Sequence, residues 1–237
     1  MTEEPQLIIH LFRHAEAAHN TEDDTSIRDP LLTTNGIAQA EQIPTTYKFL
    51  NHPTLVLVSP LQRAIQTALH AFHPKFNLKS TELYAQGPGV PRFVALPQLQ
   101  EVSENPCDTG VSLRSLRKEH GEYIEFPGEL FESDEWFRKQ DTPFANESIL
   151  LSKRAKFVRD YLEQSRHKEV VVVTHGDFSH FLVNRWLYGP GCGSLFDGLK
   201  HAAGLPMTLK AKDLEGDLDS EMAVEIPAWF IPQKHGK

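Results

Sequence analysis

The sequence predicts an α/β fold, a three-layer α/β/α sandwich built on a mainly parallel sheet. Three observations carry that expectation. Short apolar runs alternate with segments of helical periodicity along the chain. The strongest of those runs are unbroken rather than alternating, as strands covered on both faces are. Three of the runs end in polar clusters, where ligands sit in open parallel sheets.

Leu7 to Phe12 is the first buried strand, and Arg13-His14-Ala15-Glu16 follows at its end. Residues Ala17 to Leu32 are polar and read as a loop. Thr33 or Thr34 caps a helix from about Gly36 to Leu50, with Pro44 as a kink. Leu55 to Val58 is the second strand. Ser59 then reads as a cap and Pro60 as the first position of a helix that carries Arg63 to about Phe72. Val94 to Leu96 is a weaker strand. The stretch from Leu99 to Pro143 is irregular, with one helix near Leu113 to His120. An amphipathic helix spans about Asn146 to Gln164, with Ile149, Leu150, Ala155, Val158 and Leu162 inward. Val170 to Val173 is the clearest strand; Thr174-His175-Gly176-Asp177 follows, with Asp177 capping a helix from Phe178 to Leu187. Met207 to Ile231 adds edge strands. The whole chain, 1–237, is expected to be one domain, with an insertion at about 76–144 covering the active site.

Composition narrows the function classes. The chain has 237 residues, 40% hydrophobic and 24% charged, which suits a globular core. Its formal net charge of -8 argues against a nucleic-acid surface. No run approaches the ~20 apolar residues of a membrane span, and the polar start does not resemble a signal peptide. The only cysteines, Cys107 and Cys192, lack zinc-ligand spacing, so no metal or cofactor is expected, and reduced thiols in the cytoplasm are the default.

The three polar clusters bring two histidines and two arginines, Arg13, His14, Arg63 and His175, to strand ends. Guanidinium groups match phosphate oxygens in bidentate fashion, and helix N-termini such as Gly176 add N–H donors. A histidine among arginines is kept neutral, because nearby positive charge disfavours imidazolium. A neutral His14 is then able to attack phosphorus and form a phosphohistidine. The leaving alkoxide needs a proton, and Glu101 is the best-placed carboxylic acid.

The ordered set Leu11-Phe12-Arg13-His14-Ala15-Glu16 with Asn20, Asp29-Pro30-Leu31-Leu32-Thr33 with Gly36, Ser59-Pro60-Leu61-Gln62-Arg63-Ala64 with Thr67, and Val172-Val173-Thr174-His175-Gly176 resembles the histidine phosphatase superfamily, in its phosphoglycerate mutase-like branch. The resemblance implies a small phosphorylated substrate and chemistry without a metal. It implies His14 as the phosphorylated nucleophile, with Arg13, Asn20, Arg63, His175 and Gly176 around the phosphate and Glu101 as proton donor. Glu104 and Asp108 are rivals for that last role.

Phosphoglycerate mutases of this family carry a Glu-Arg and a Tyr-Gly-containing segment after the acid. Here Glu101 to Gly110 lacks that arginine and is locally acidic, which favours hydrolysis over mutase transfer. Its Pro-Cys-Asp-Thr-Gly pattern is similar to fungal phosphoglycerate mutase-like proteins. A phosphoryl transferase is the closer rival; a non-catalytic phospho-ligand binder would have lost a pocket residue, and none is missing. The remaining notable residues read as structural. These are His10 in the first strand, His19 in a solvated loop, His70 and His73 on a helix face, Cys107 as a bystander thiol, and Trp186, Tyr188, Trp229 and Phe230 as packing groups. Glu16 reads equally as a cap or a substrate contact.

Overall fold

The structure is a computed structural model that describes residues 7–85, 87–183, 201–202, 204–211 and 222–225. In chain order the elements are β1 (Ile8–Arg13), α1 (Ala18–Thr21), α2 (Thr34–Thr46), β2 (Leu55–Val58), α3 (Gln62–Phe72), α4 (Ser80–Tyr84), β3 (Arg92–Ala95), α5 (Leu113–His120), α6 (Ser148–Gln164), β4 (Glu169–Thr174), α7 (Gly176–Leu182), β5 (Gly204–Ala211) and β6 (Met222–Glu225). One sheet holds all six strands in the order β3-β2-β4-β1-β5-β6. The first four are parallel, and β5 and β6 join antiparallel at the β1 edge.

The alternation of side chains across each strand splits the core into two layers. Ile9, Leu11, Leu55, Leu57, Val170 and Val172 pack with Leu151, Ala155, Val158 and Leu162 of α6 and Phe178 and Leu182 of α7. The intervening Phe12, Val56, Val58, Val171 and Val173 pack with Ile43 of α2 and Ala64, Ile65, Ala68, Leu69 and Phe72 of α3. Both faces of the parallel strands are therefore covered, which is why their sequences run apolar without a break. Leu113, Leu116, Phe131 and Trp136, from the stretch after β3, extend the second layer.

Several elements depart from expectation for identifiable reasons. Thr33 is the α2 cap, its Oγ1 accepting from the Gly36 N–H at 2.9 Å. The helix stops at Thr46, short of Leu50, because Pro44 cannot donate its backbone bond and weakens the last turn. Gly36 lies so close to β1's exit that a Cβ there would stand 1.9 Å from the Glu16 carbonyl oxygen.

The helix after β2 begins at Gln62, not at Pro60. Its cap comes from Asp29, distant in sequence, whose Oδ1 accepts from the Gln62 N–H at 2.9 Å. Asp29 Oδ2 accepts from the Val111 N–H at 3.1 Å, and the residue holds φ at 40°. Ser59 Oγ accepts from the Leu61 N–H, just ahead of the helix, at 3.3 Å, and has a second partner.

On α6 the buried stripe is Leu151, Ala155, Val158 and Leu162, spaced four, three and four residues apart. Ile149 lies off that stripe and is 59% exposed, a correction to its expected inward position. The loop expected from Ala17 to Leu32 contains the short helix α1. Val183 is the C-cap of α7, so the expected run to Leu187 is only partly seen; its end lies outside the described residues, as do Trp186, Tyr188, Trp229 and Phe230. No helix among the described residues is long and apolar enough to cross a membrane.

Candidate active site

Strand register explains how the polar clusters meet. Arg13 of β1 pairs with Thr174 of β4, and Val58 of β2 pairs with Val173. The next residue of each strand therefore emerges at the same edge. The His14 N–H donates to Thr174 O at 2.9 Å, and the Ser59 N–H to Val173 O at 3.0 Å. His14, Ser59 and His175 become neighbours although they lie far apart in sequence.

His14 is 2% exposed. Its Nδ1 lies 2.7 Å from the Ala15 carbonyl oxygen, which can only accept, so the ring proton sits on Nδ1. Nε2 then keeps its lone pair and accepts from Arg63 Nε at 3.1 Å. Burial holds the His14 pKa well below the usual imidazole value. The Arg63 and Arg13 guanidinium groups and His201 push the same way, against the Ala15 hydrogen bond. The sequence expectation of a neutral imidazole among arginines is met, with burial as the larger cause.

Arg63 is 1% exposed and held on three sides. Besides His14, it donates from Nη1 to Cys107 O at 2.6 Å and from Nη2 to Asp108 Oδ1 at 2.7 Å. Asp108 Oδ2 accepts from Ser103 Oγ at 2.5 Å. Lys139 Nζ donates to the carbonyls of Ser103 and Asp108, and burial pulls its pKa down to about 8. Thr67 fastens this helix to β1's exit, accepting from the Ala15 N–H at 2.9 Å and donating to Arg63 O at 2.7 Å.

His175 is fully buried, and Nε2 lies 2.7 Å from Ser59 Oγ. Its pKa is also well below the usual value, from burial first and then Arg63. Gly176 opens α7, where a Cβ would be 3.6 Å from the Arg13 guanidinium, in ordinary contact. The N–H groups of Asp177 and Phe178 donate to Glu101, at 3.2 and 2.9 Å. Glu101 thus takes the capping role expected of Asp177, and it also accepts from the Val102 N–H at 3.0 Å. Burial raises Glu101 to about 7, with Asp108 and Asp177 adding repulsion and Arg63 and the Phe178 N–H opposing. Glu104 is exposed, and Asp108 is committed to Arg63.

Asn20 Oδ1 accepts from the Ala17 N–H at 3.1 Å, and its Nδ2 donates to His19 Nε2 at 3.0 Å. It reaches the pocket through His19. That histidine is not a solvated loop residue: its ring stands 5.9 Å from that of His14, and burial with Arg63 lowers its pKa to about 4. Glu16 is a cap support, accepting from Thr33 Oγ1 at 2.6 Å and Asn35 Nδ2 at 3.0 Å. His10 lies away from this edge, bonded to Tyr47 and to Glu169 at 3.0 Å each. His70 faces Glu41 at 3.5 Å, and His73 packs on Phe76, Phe93 and Tyr123. Cys107 is buried, with its thiol pushed up to about 11 by burial and Asp108.

Sequence reasoning missed four contributors. His201 brings its ring to 5.8 Å from His14; the one hint was an imidazole placed just before an apolar edge segment. Ser59, Lys139 and Arg154 are the others. Arg154 of α6 is 4% exposed, donates to Gln100 O at 2.8 Å and lies 4.2 Å over the Phe178 ring, where it supports Glu101 electrostatically. Among the described residues no group of three or more His, Cys, Asp or Glu is placed to hold a metal ion.

The comparisons with known proteins give the family and the fold. Residues 9–196 match the family model described as histidine phosphatase superfamily (branch 1). A phosphoglycerate mutase-like protein of Arabidopsis thaliana is 26% identical over 210 residues, covering 78% of this chain and 75% of the relative. The fold is shared with a mycobacterial glucosyl-3-phosphoglycerate phosphatase solved with VO3, at TM-score 0.54, 17% identity, and coverage of 94% and 98%. It is also shared with the alpha-ribazole phosphatase of Shigella flexneri, at TM-score 0.51, 19% identity, and coverage of 93% and 95%. The chain belongs to the histidine phosphatase superfamily, branch 1.

Proposed function

We propose that this protein hydrolyses phosphomonoesters without a metal, through a phosphohistidine formed on His14. The observation that carries the reading is the proton position on His14: with Nδ1–H committed to Ala15 O, Nε2 is a lone-pair nucleophile beside Arg63. Arg13, Arg63, His175 and the N–H of Gly176 bind the phosphoryl oxygens and stabilise the charge that develops on them. Asn20 supports the same pocket through His19. Nε2 attacks phosphorus and the ester P–O bond breaks. Glu101, raised to about 7, gives its proton to the leaving oxygen and then takes one from the water that cleaves the P–N bond.

Residues 76–144 belong to the same domain in this reading and cover the site. They supply Glu101, Asp108 and Lys139, although β3 within them is an edge strand of the sheet. Hydrolysis is favoured over mutase transfer because the segment Glu101 to Gly110 lacks an arginine for a second substrate anion and is locally acidic. The setting in this reading is cytoplasmic.

The test is phosphate release from p-nitrophenyl phosphate and a panel of natural phosphomonoesters with chelator present, wild type beside His14→Ala. Release that survives chelation and disappears in the variant supports the reading. Release that persists in the variant, or transfer to an acceptor in place of water, overturns it.

A further inference from the structure

His14 is surrounded by more imidazole than the proposed chemistry uses. The rings of His175, His201 and His19 stand 5.1, 5.8 and 5.9 Å from its own. Each has a buried ring nitrogen with no hydrogen-bond partner among the described residues: Nδ1 of His19, Nδ1 of His175 and Nε2 of His201. Buried polar atoms are rarely left unpaired, and three around one nucleophile call for a common partner.

The chemistry of that partner follows from the hydrogen bonds around it. The Ala17 N–H fixes Asn20 Oδ1 as an acceptor, so its Nδ2 is the group that faces His19 Nε2. An amide NH2 only donates; His19 Nε2 therefore accepts, and the ring proton of the neutral form sits on the unpaired Nδ1. A donor without an acceptor calls for a ligand oxygen. Among the described residues, the carboxylates that act on these rings, Asp108 on His19 and Glu16 on His201, are already engaged. Asp108 is taken by Arg63 and Ser103, and Glu16 by Thr33 and Asn35. The other neighbouring charges are cationic: Arg13 acts on all four histidines, and Arg63 on three of them.

We propose that His19 and His201 are two further phosphoryl-binding residues, closing a cage of four imidazoles around the scissile group; this rests on the phosphatase reading above. They come from α1 and from the residues just before β5, elements separate from the strand ends that supply His14 and His175. A phosphoryl group has enough oxygen lone pairs to accept from His19, His175 and His201 together with the two guanidinium groups, while His14 meets the phosphorus itself.

The probe is inorganic vanadate, which has the phosphoryl oxygens but no leaving group. In wild-type protein with 15N-labelled histidine, vanadate is expected to shift four imidazole spin systems; movement of two alone overturns the cage. His19→Asn and His201→Asn are each expected to weaken vanadate about tenfold or more, the worth of a hydrogen bond to a charged group. The KM for p-nitrophenyl phosphate should rise with it. Vanadate affinity equal to wild type in both variants, with only the KM of bulky esters raised, would place these residues on the leaving group and refute the proposal. The phosphatase reading is judged separately by the His14→Ala comparison: it stands if that variant loses turnover, whichever way the vanadate results fall.

Discussion

Replacing Glu101 with Gln separates proton donation from every other duty of this residue. Its carboxylate accepts from the N–H groups of Val102, Asp177 and Phe178, so it also closes the N-terminus of α7. A glutamine keeps one accepting oxygen and sets its NH2 against a donor, a stability cost of about 1–3 kcal/mol. The catalytic loss is larger and selective. Without a general acid, an alkyl phosphate should lose about 10²–10⁴ in kcat/KM. The kcat/KM of p-nitrophenyl phosphate, whose leaving group needs no proton near neutrality, should stay within about tenfold of wild type, while kcat falls for both substrates because Glu101 also acts as base toward water. The pH profile gives an independent check. Glu101 is raised to about 7, so the donor form fades as pH rises through that value. Wild type should lose activity on alkyl esters on that basic side, and the variant should not show the limb. The same shift has a thermodynamic sign: protonation of Glu101 stabilises the fold below the ordinary carboxylate range, and that contribution is lost as pH rises through about 7. Steady-state kinetics on the two substrates across pH, with circular dichroism to confirm folding, form the assay. Equal losses of kcat/KM on both substrates would refute the assignment of Glu101 as proton donor.

Four other outcomes follow from the same structure. Asp108→Asn, which breaks the buried pair with Arg63, should cost about 3–5 kcal/mol in urea unfolding and lower turnover equally for good and poor leaving groups. A leaving-group-dependent loss would instead make Asp108 the acid. Arg154→Met removes a buried cation beside Glu101 and should move the basic limb of the pH profile upward; a limb that stays put would deny their coupling. Gly36→Ala forces a Cβ to within 1.9 Å of the Glu16 carbonyl and should cost about 3 kcal/mol, read from the denaturation midpoint. Phe12→Ala empties a fully buried position flanked by Tyr47 at 4.8 Å and Phe72 at 5.3 Å, and should lower stability by about 3–5 kcal/mol with the m-value unchanged.

The sheet and its helices were legible because their signals are local. Unbroken apolar runs mark β1, β2 and β4, and the 3.6-residue stripe marks α6. Arg13, His14, Arg63 and His175 were legible because parallel strands must deliver their exits to one edge. What stayed hidden depends on partners remote in sequence. The cap of α3 was sought at Ser59, since caps are ordinarily adjacent residues, yet Asp29 supplies it from another loop. Ser59 Oγ takes the Leu61 N–H just ahead of the helix and also meets His175, a pairing fixed by register between β2 and β4. His19 looked solvated because its surroundings in sequence are polar; it is half-buried because α1 folds back over His14. Arg154 had no signal in the sequence, because nothing in the periodicity of α6 shows which of its polar residues is buried against Gln100 and Phe178.

Arg63 shows why the acidic stretch after Glu101 is compatible with binding a phosphate. A guanidinium has five N–H donors. One goes to His14 Nε2, one to Cys107 O and one to Asp108 Oδ1, which leaves one on each terminal nitrogen. Those two remaining donors are left for phosphoryl oxygens. The bonds to Cys107 and Asp108 hold the guanidinium plane without consuming them. The Asp108 carboxylate also offsets the cost of burying a cation in a residue that is 1% exposed. In the mechanism proposed above, the Nε bond to His14 is the one that yields, because Nε2 turns its lone pair toward phosphorus. A dianionic phosphoryl group arriving between them gives the guanidinium a stronger acceptor than a neutral imidazole, so binding itself releases the nucleophile. The local acidity that argues against a second substrate anion is thus the same feature that keeps Arg63 rigid and aimed at the first.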